Sequence, residues 1–172
     1  IGTNPREAGD MQGEILADIW AADQSIDLNG DGKLQFVEFE GEPNNPEAIA
    51  RTKYSEETAI LNGVPLEPAL DEYVIVANWD TAQAQEKMTA TFAAHPEIEV
   101  VFCNNDAMAL GALQAIQAAG RTVGKDIYLV GVDALTDAVQ NIIDGNMTGT
   151  VFNDYFSQAQ GAANLAVKVL KG

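Results

Sequence analysis

Residues 98–120 read IEVVFCNNDAMALGALQAIQAAG, and this stretch decides the fold. Its first six residues form a short apolar run with β-branched members, the composition of a strand covered on both faces. Residues 106–119 follow as a helix, closed by Gly120, a residue free to take the left-handed conformation that ends helices. The same unit recurs on either side. Residues 35–40 (QFVEFE), 73–77 (YVIVA), 127–132 (IYLVGV) and 148–152 read as strands. Residues 5–24 read as a helix, with Ile15, Leu16, Ile19 and Trp20 at helical spacing. Further helices are expected over 47–62, 81–94, 135–144 and 155–170. Strand–helix alternation with short apolar strands predicts an α/β fold: a mainly parallel sheet with helices on both faces.

The 172 residues suffice for one sizeable domain. Hydrophobic residues make up 47% and charged residues 20%, which supports a packed core rather than disorder. A net charge of −17 argues against nucleic acid, whose counterions are displaced by Lys and Arg. No apolar run approaches the ~18 residues of a membrane span. The one cysteine, Cys103, excludes an internal disulfide.

Between the first helix and first strand stands Asp27-x-Asn29-x-Asp31-Gly32-Lys33-x-Gln35. Oxygen donors on alternate residues, with glycine sixth to allow a sharp turn, wrap a chain around calcium, which takes six to eight oxygens. Lys33 would contribute its backbone carbonyl. Glu38 occupies the twelfth place of an EF-hand loop, yet that place belongs on an exiting helix and residues 35–40 read as a strand. On local grounds the last ligand is ambiguous.

In an open α/β sheet, ligands bind beyond the carboxyl ends of the strands. There the chain places Asn44, Asn45, Glu47 and Arg51, then Trp79-Asp80, Asn104-Asn105-Asp106, Asp133 and Asn153-Asp154. Carboxylates and amides supply paired donors and acceptors for vicinal hydroxyls, and an indole offers a flat apolar face to a pyranose. Singly, Asp106 and Asp133 could be helix N-caps and Trp79 core filling. Together they suit a neutral polyol. The calcium loop precedes the first strand and so belongs at the opposite end of the sheet, in a structural role.

The segments DLNGDGKLQF, GEPNNPEAIART, NWDTAQAQEKM, IEVVFCNNDAMALGAL, VGVDAL and GTVFND together resemble the periplasmic galactose/glucose-binding proteins of bacterial sugar import and chemotaxis. The resemblance implies a periplasmic-binding-protein type I fold whose two lobes close on a hexose such as galactose or glucose. It implies sugar contacts at Arg51, Trp79, Asn105, Asp133 and Asn153. Asn45 and Glu47 stand where those proteins have histidine and aspartate, so the hexose preference is open. It implies a calcium site of Asp27, Asn29, Asp31, Lys33 and Gln35 completed by a distant glutamate, here Glu99. It further implies an extracytoplasmic setting (periplasm or cell-surface lipoprotein), with an ABC permease and a chemoreceptor as partners.

The chain resembles the carboxy-terminal lobe: residues 1–154 would be the sugar-binding lobe with its calcium loop. Residues 155–172 would be a helix belonging to a second lobe that is largely absent. Both ends look cut, since Ile1 is not an initiator and no signal peptide is visible. The helix face formed by Phe156, Ala159, Ala163, Ala166, Val169 and Leu170 then needs cover, through chain exchange, a dimer or disorder. The rival reading is the effector domain of a LacI-type transcriptional regulator, which shares the fold. An enzyme would have to rest on His95 and Cys103, which fall at opposite ends of one strand, so the thiol lacks a base. A calcium sensor would need paired helices around the loop.

Overall fold

The computed structural model describes residues 4–171; Ile1 and Gly172, the outer ends of the two expected segments, lie outside the described residues. In chain order the elements are α1 (Pro5–Ala22), β1 (Leu34–Glu40), α2 (Pro46–Leu61), β2 (Leu66–Pro68), β3 (Val74–Val76), α3 (Thr81–Ala94), β4 (Val100–Cys103), α4 (Asp106–Ala118), β5 (Tyr128–Val132), α5 (Thr136–Ile143), β6 (Gly149–Val151) and α6 (Tyr155–Lys171). Each expected strand and helix is present, to within a few residues at its ends.

All the strand pairings are parallel, in the spatial order β2-β1-β4-β5-β6, with β3 also on β1. Residues 66–68, read from sequence as connection, form β2. It lies beside Leu34–Phe36, while β3 lies beside Glu38–Glu40, so the two are halves of one interrupted edge strand. Pro68 is tolerated there because an edge strand has one side that needs no N–H donor.

β1 runs through the middle of the molecule, with all seven residues buried. Its pleat sends Leu34 and Phe36 into one core with Leu16, Ala59, Phe102 and Val130, beneath α1 and α2. Val37 and Phe39 enter the other core with Met88, Val101, Met108 and Ile116, beneath α3, α4 and α5. α1 and α2 pack very closely: a Cβ on Gly13 would stand 2.6 Å from the Ser55 carbonyl oxygen. α6 leaves the body of the lobe with no buried residue, its Phe156, Val169 and Leu170 widely exposed.

Candidate functional site

Because every strand is parallel, every strand end of one kind lies along one edge. That edge gathers Asn45, Glu47 and Arg51 after β1, Trp79 after β3, Asn105 after β4, Asp133 after β5 and Asn153 after β6. Arg51 sits one turn into α2 and is 3% exposed. Its Nη1 donates to the Asn104 carbonyl at 2.7 Å and its Nη2 to Glu47 Oε2 at 3.4 Å, while its Nε is buried without a partner. The guanidinium carbon lies 5.9 Å from the centre of the half-buried Trp79 ring. Across the edge, Asn153 Nδ2 donates to Asp133 Oδ1 at 3.1 Å. Burial raises the Asp133 carboxyl; the Asn153 hydrogen bond and the Arg51 charge oppose this, and the Glu47 charge adds to it. Glu47, Arg51, Asp133 and Asn153 thus share one electrostatic neighbourhood.

Two of the expected residues also cap helices. Asn45 accepts from the Glu47 N–H at 2.9 Å and Asn105 from the Met108 N–H at 2.9 Å, which leaves both amide nitrogens for other partners. Asp106 is not the cap of α4. Its carboxylate crosses to the next loops, accepting from the Leu135 N–H at 2.8 Å and the Thr150 hydroxyl at 2.6 Å. Burial pushes it up to about 6 against those bonds. Nor is Asp133 the cap of α5: the N-cap residue is Leu135, which makes no side-chain capping bond.

The backbone here is strained. Among the described residues, the non-glycine ones with positive φ are Asn78 (52°), Trp79 (61°), Asp133 (124°) and Ala134 (55°), all on this edge. Such conformations cost free energy and concentrate where a binding geometry demands them. Trp79 lies flat against Gly41, where a Cβ would stand 2.2 Å from its ring.

Two residues behind the edge have a role that the sequence did not give them: it offered Glu38 the twelfth place of the calcium loop and Asn104 only a place at a strand end. Glu38, 1% exposed, accepts from Ser55 Oγ at 3.0 Å and from Asn104 Nδ2 at 2.8 Å. Asn104, fully buried, accepts the Gly41 N–H at 3.2 Å. The available signal was a glutamate on the β1 face otherwise filled by Leu34 and Phe36. Glu38 therefore faces α2, away from the Asp27 loop.

At the opposite end of the sheet, the loop folds on its own polar groups. Asp27 accepts from the N–H groups of Gly30, Asp31 and Gly32, and Asp31 from that of Lys33. The amides of Asn29 and Gln35 both donate to Asp31 Oδ2. Glu99, 1% exposed at the start of β4, accepts from the Leu28 N–H at 2.6 Å and the Gln35 N–H at 3.1 Å. Burial raises its carboxyl and the charges of Asp27 and Asp31 add to that. Among the described residues no three His, Cys, Asp or Glu side chains form a metal-holding cluster. The loop's donor set draws as heavily on amides and a carbonyl as on carboxylates.

Cys103 is buried, and burial raises its thiol well above the ordinary value. His95, at the far end of β4, pairs with Glu97 at 3.2 Å. Neither group is arranged for nucleophilic chemistry. No helix of the described residues is long and apolar enough to cross a membrane.

The family model described as "Periplasmic binding protein domain" matches residues 1–172. The D-galactose/methyl-galactoside binding periplasmic protein MglB of Haemophilus influenzae is 40% identical over 174 residues, covering 100% of this chain and 50% of that protein. The D-apiose import binding protein of Actinobacillus succinogenes is 33% identical over 88% of this chain and 46% of its own length. A solute binding protein of Bacillus halodurans solved with myo-inositol superposes with a TM-score of 0.83 at 26% identity, covering 99% of this chain and 54% of that one. A Mycobacterium smegmatis structure with β-D-fucofuranose gives 0.81 at 31% identity, over 98% and 51%. The chain spans about half the length of the curated relatives it matches.

Proposed function

The chain belongs to the periplasmic binding protein family, a family of binders and not of enzymes, and from that premise we propose that it is the carboxy-terminal lobe of a sugar importer's receptor. The observation that carries this reading is the gathering of Glu47–Arg51, Asp133–Asn153 and Trp79 on one strained edge. Carboxylates, amides and a guanidinium grip hydroxyls in pairs, and the indole meets the C–H face of a ring. The proposed ligand is a hexose of the galactose/glucose class. Asn45, Glu47, Arg51, Trp79, Asn105, Asp133 and Asn153 are its proposed contacts. Asn45 and Glu47 are the residues expected to set the preference among hexoses.

A hexose site buries most of its ligand, and an open edge covers only one side of it. The proposed receptor therefore closes this lobe against a second one, and α6, bare of buried residues, is proposed to dock there. The whole protein would deliver sugar to an ABC permease and present the closed form to a chemoreceptor, in an extracytoplasmic setting.

Calcium is proposed at the Asp27 loop, held by Asp27, Asn29, Asp31, Gln35, the Lys33 carbonyl and Glu99. What supports it is a buried glutamate pressed against a loop that already carries two carboxylates and two amides. What the ion would supply is positive charge among converging anions. Glu38, engaged with Ser55 and Asn104, has no part in it.

Calorimetry with galactose and glucose tests the reading. The isolated chain is expected to bind weakly, with NMR shifts at Arg51, Trp79, Asp133 and Asn153 in millimolar hexose. Micromolar binding by this chain alone would overturn the half-site reading; unmoved edge signals would overturn the sugar reading.

A further inference from the structure

β1 turns Leu34, Phe36 and Glu38 toward α1 and α2, and the first two pack there with Leu16, Phe102 and Val130. An apolar side chain at position 38 would complete that face. Instead a carboxylate stands there, 1% exposed. Burying a carboxylate is unfavourable unless its oxygens are bonded, so its partners bear on why it is there. Ser55 Oγ donates to Oε2 at 3.0 Å and Asn104 Nδ2 to Oε1 at 2.8 Å. With its NH₂ turned to Glu38, Asn104 has one orientation left for its oxygen. That oxygen accepts the Gly41 N–H at 3.2 Å and the Thr52 hydroxyl at 3.3 Å. The Asn104 backbone carbonyl accepts Arg51 Nη1 at 2.7 Å. Gly41 is the floor on which the Trp79 ring lies. The bonds run from one buried carboxylate, through one buried amide, to two groups on the candidate edge.

We propose that Glu38 is a positioning residue for that edge: through Asn104 it holds the Gly41 turn beneath Trp79 and the guanidinium of Arg51. Its consequence for binding rests on the sugar reading; its geometry does not. Burial pushes the Glu38 carboxyl well above the usual range, so acceptance and not charge is the essential property. A glutamine supplies the same oxygen to Asn104 and an N–H to Ser55 Oγ. A leucine removes both bonds yet suits the apolar face.

The test compares Glu38→Gln and Glu38→Leu in the whole chain with Trp20→Phe, so that Trp79 alone reports. Arg51 guanidinium ¹⁵N exchange, Trp79 emission and thermal midpoint are measured with and without galactose. Glu38→Gln is expected to match the parent. Glu38→Leu is expected to keep its midpoint, speed Arg51 Nη exchange about tenfold, shift Trp79 emission and weaken the galactose response about tenfold, the scale of one lost buried hydrogen bond. If Glu38→Leu does not fold, Glu38→Met carries the comparison. A folded apolar variant with parental Arg51 and Trp79 signals would overturn the proposal and leave Glu38 a packing residue. If galactose moves nothing in the parent while Glu38→Leu still frees Arg51, positioning stands and the sugar reading fails.

Discussion

Glu99→Gln is the sharpest perturbation of the proposed calcium loop, because both carboxylate oxygens are accounted for. One accepts the Leu28 N–H at 2.6 Å and the other the Gln35 N–H at 3.1 Å, in a group 1% exposed. Glutamine keeps one acceptor and turns an NH₂ toward the other donor, at about 1–3 kcal/mol for an unsatisfied buried group. It also removes one of three carboxylates whose charges oppose one another. Without calcium these terms have opposite signs, so the two proteins differ little. With calcium they separate. At a concentration 100-fold above the dissociation constant the parent gains about 2.7 kcal/mol by mass action. In a chain of this size that is roughly 5–10 °C in Tm, at about 2–4 °C per kcal/mol. Losing a charged oxygen ligand weakens binding about 100-fold, which leaves about 0.4 kcal/mol, or ~1 °C, at the same calcium concentration. Scanning calorimetry of both proteins, with calcium and with chelator, reads this directly. A full calcium-dependent rise in Glu99→Gln would refute the assignment of Glu99, and no rise in the parent would refute the site.

Gly41→Ala drives a Cβ to 2.2 Å from the Trp79 ring. Trp79 is half-exposed and is expected to swing out, red-shifting its emission at a stability cost of about 1–3 kcal/mol; unchanged emission in a Trp20→Phe background would contradict this. Asp106 titrates near 6 in the fold against an ordinary 3.8, so the native state holds its proton more tightly. Its contribution is greatest below about pH 4 and is lost as pH rises through 6, by at most about 3 kcal/mol. Asp106→Asn is expected to flatten that part of a urea-denaturation pH profile, and a parallel profile would refute the cause. Truncation after Asp154 removes the exposed face of α6 and is expected to lower self-association in sedimentation velocity; equal association by both chains would place the contact elsewhere.

The element order was legible because short β-branched or aromatic runs, closed by turns, alternate with helical segments. β2 was not, because Leu66-Glu-Pro68 has neither alternation nor β-branched content; only its place beside Leu34–Phe36 makes it a strand. The gathering of Arg51, Trp79, Asp133 and Asn153 followed from topology, since parallel strands deliver all their carboxyl ends to one edge. The bonds among them were hidden. Asp106 looked like a cap, yet Asn105 caps α4 and frees Asp106 to reach Leu135 and Thr150.

The least legible feature is also the most informative about how the edge is held. QFVEFE reads as a strand with polar residues on both faces, and nothing in the string says that the whole of it is buried. Once it is, Gln35, Glu38 and Glu40 cannot all be solvated positions, and each must answer for its place. Gln35 turns to the Asp27 loop and Glu38 to Asn104, toward opposite ends of the same strand. β1 thus carries a polar anchor toward each proposed site, the two anchors three residues and roughly 10 Å apart along the strand. A sheet interior is close-packed and shifts little, so the Gln35 end and the Glu38 end are fixed relative to one another. That rigidity would let the proposed ion at one end and the proposed ligand edge at the other share one scaffold without sharing a ligand.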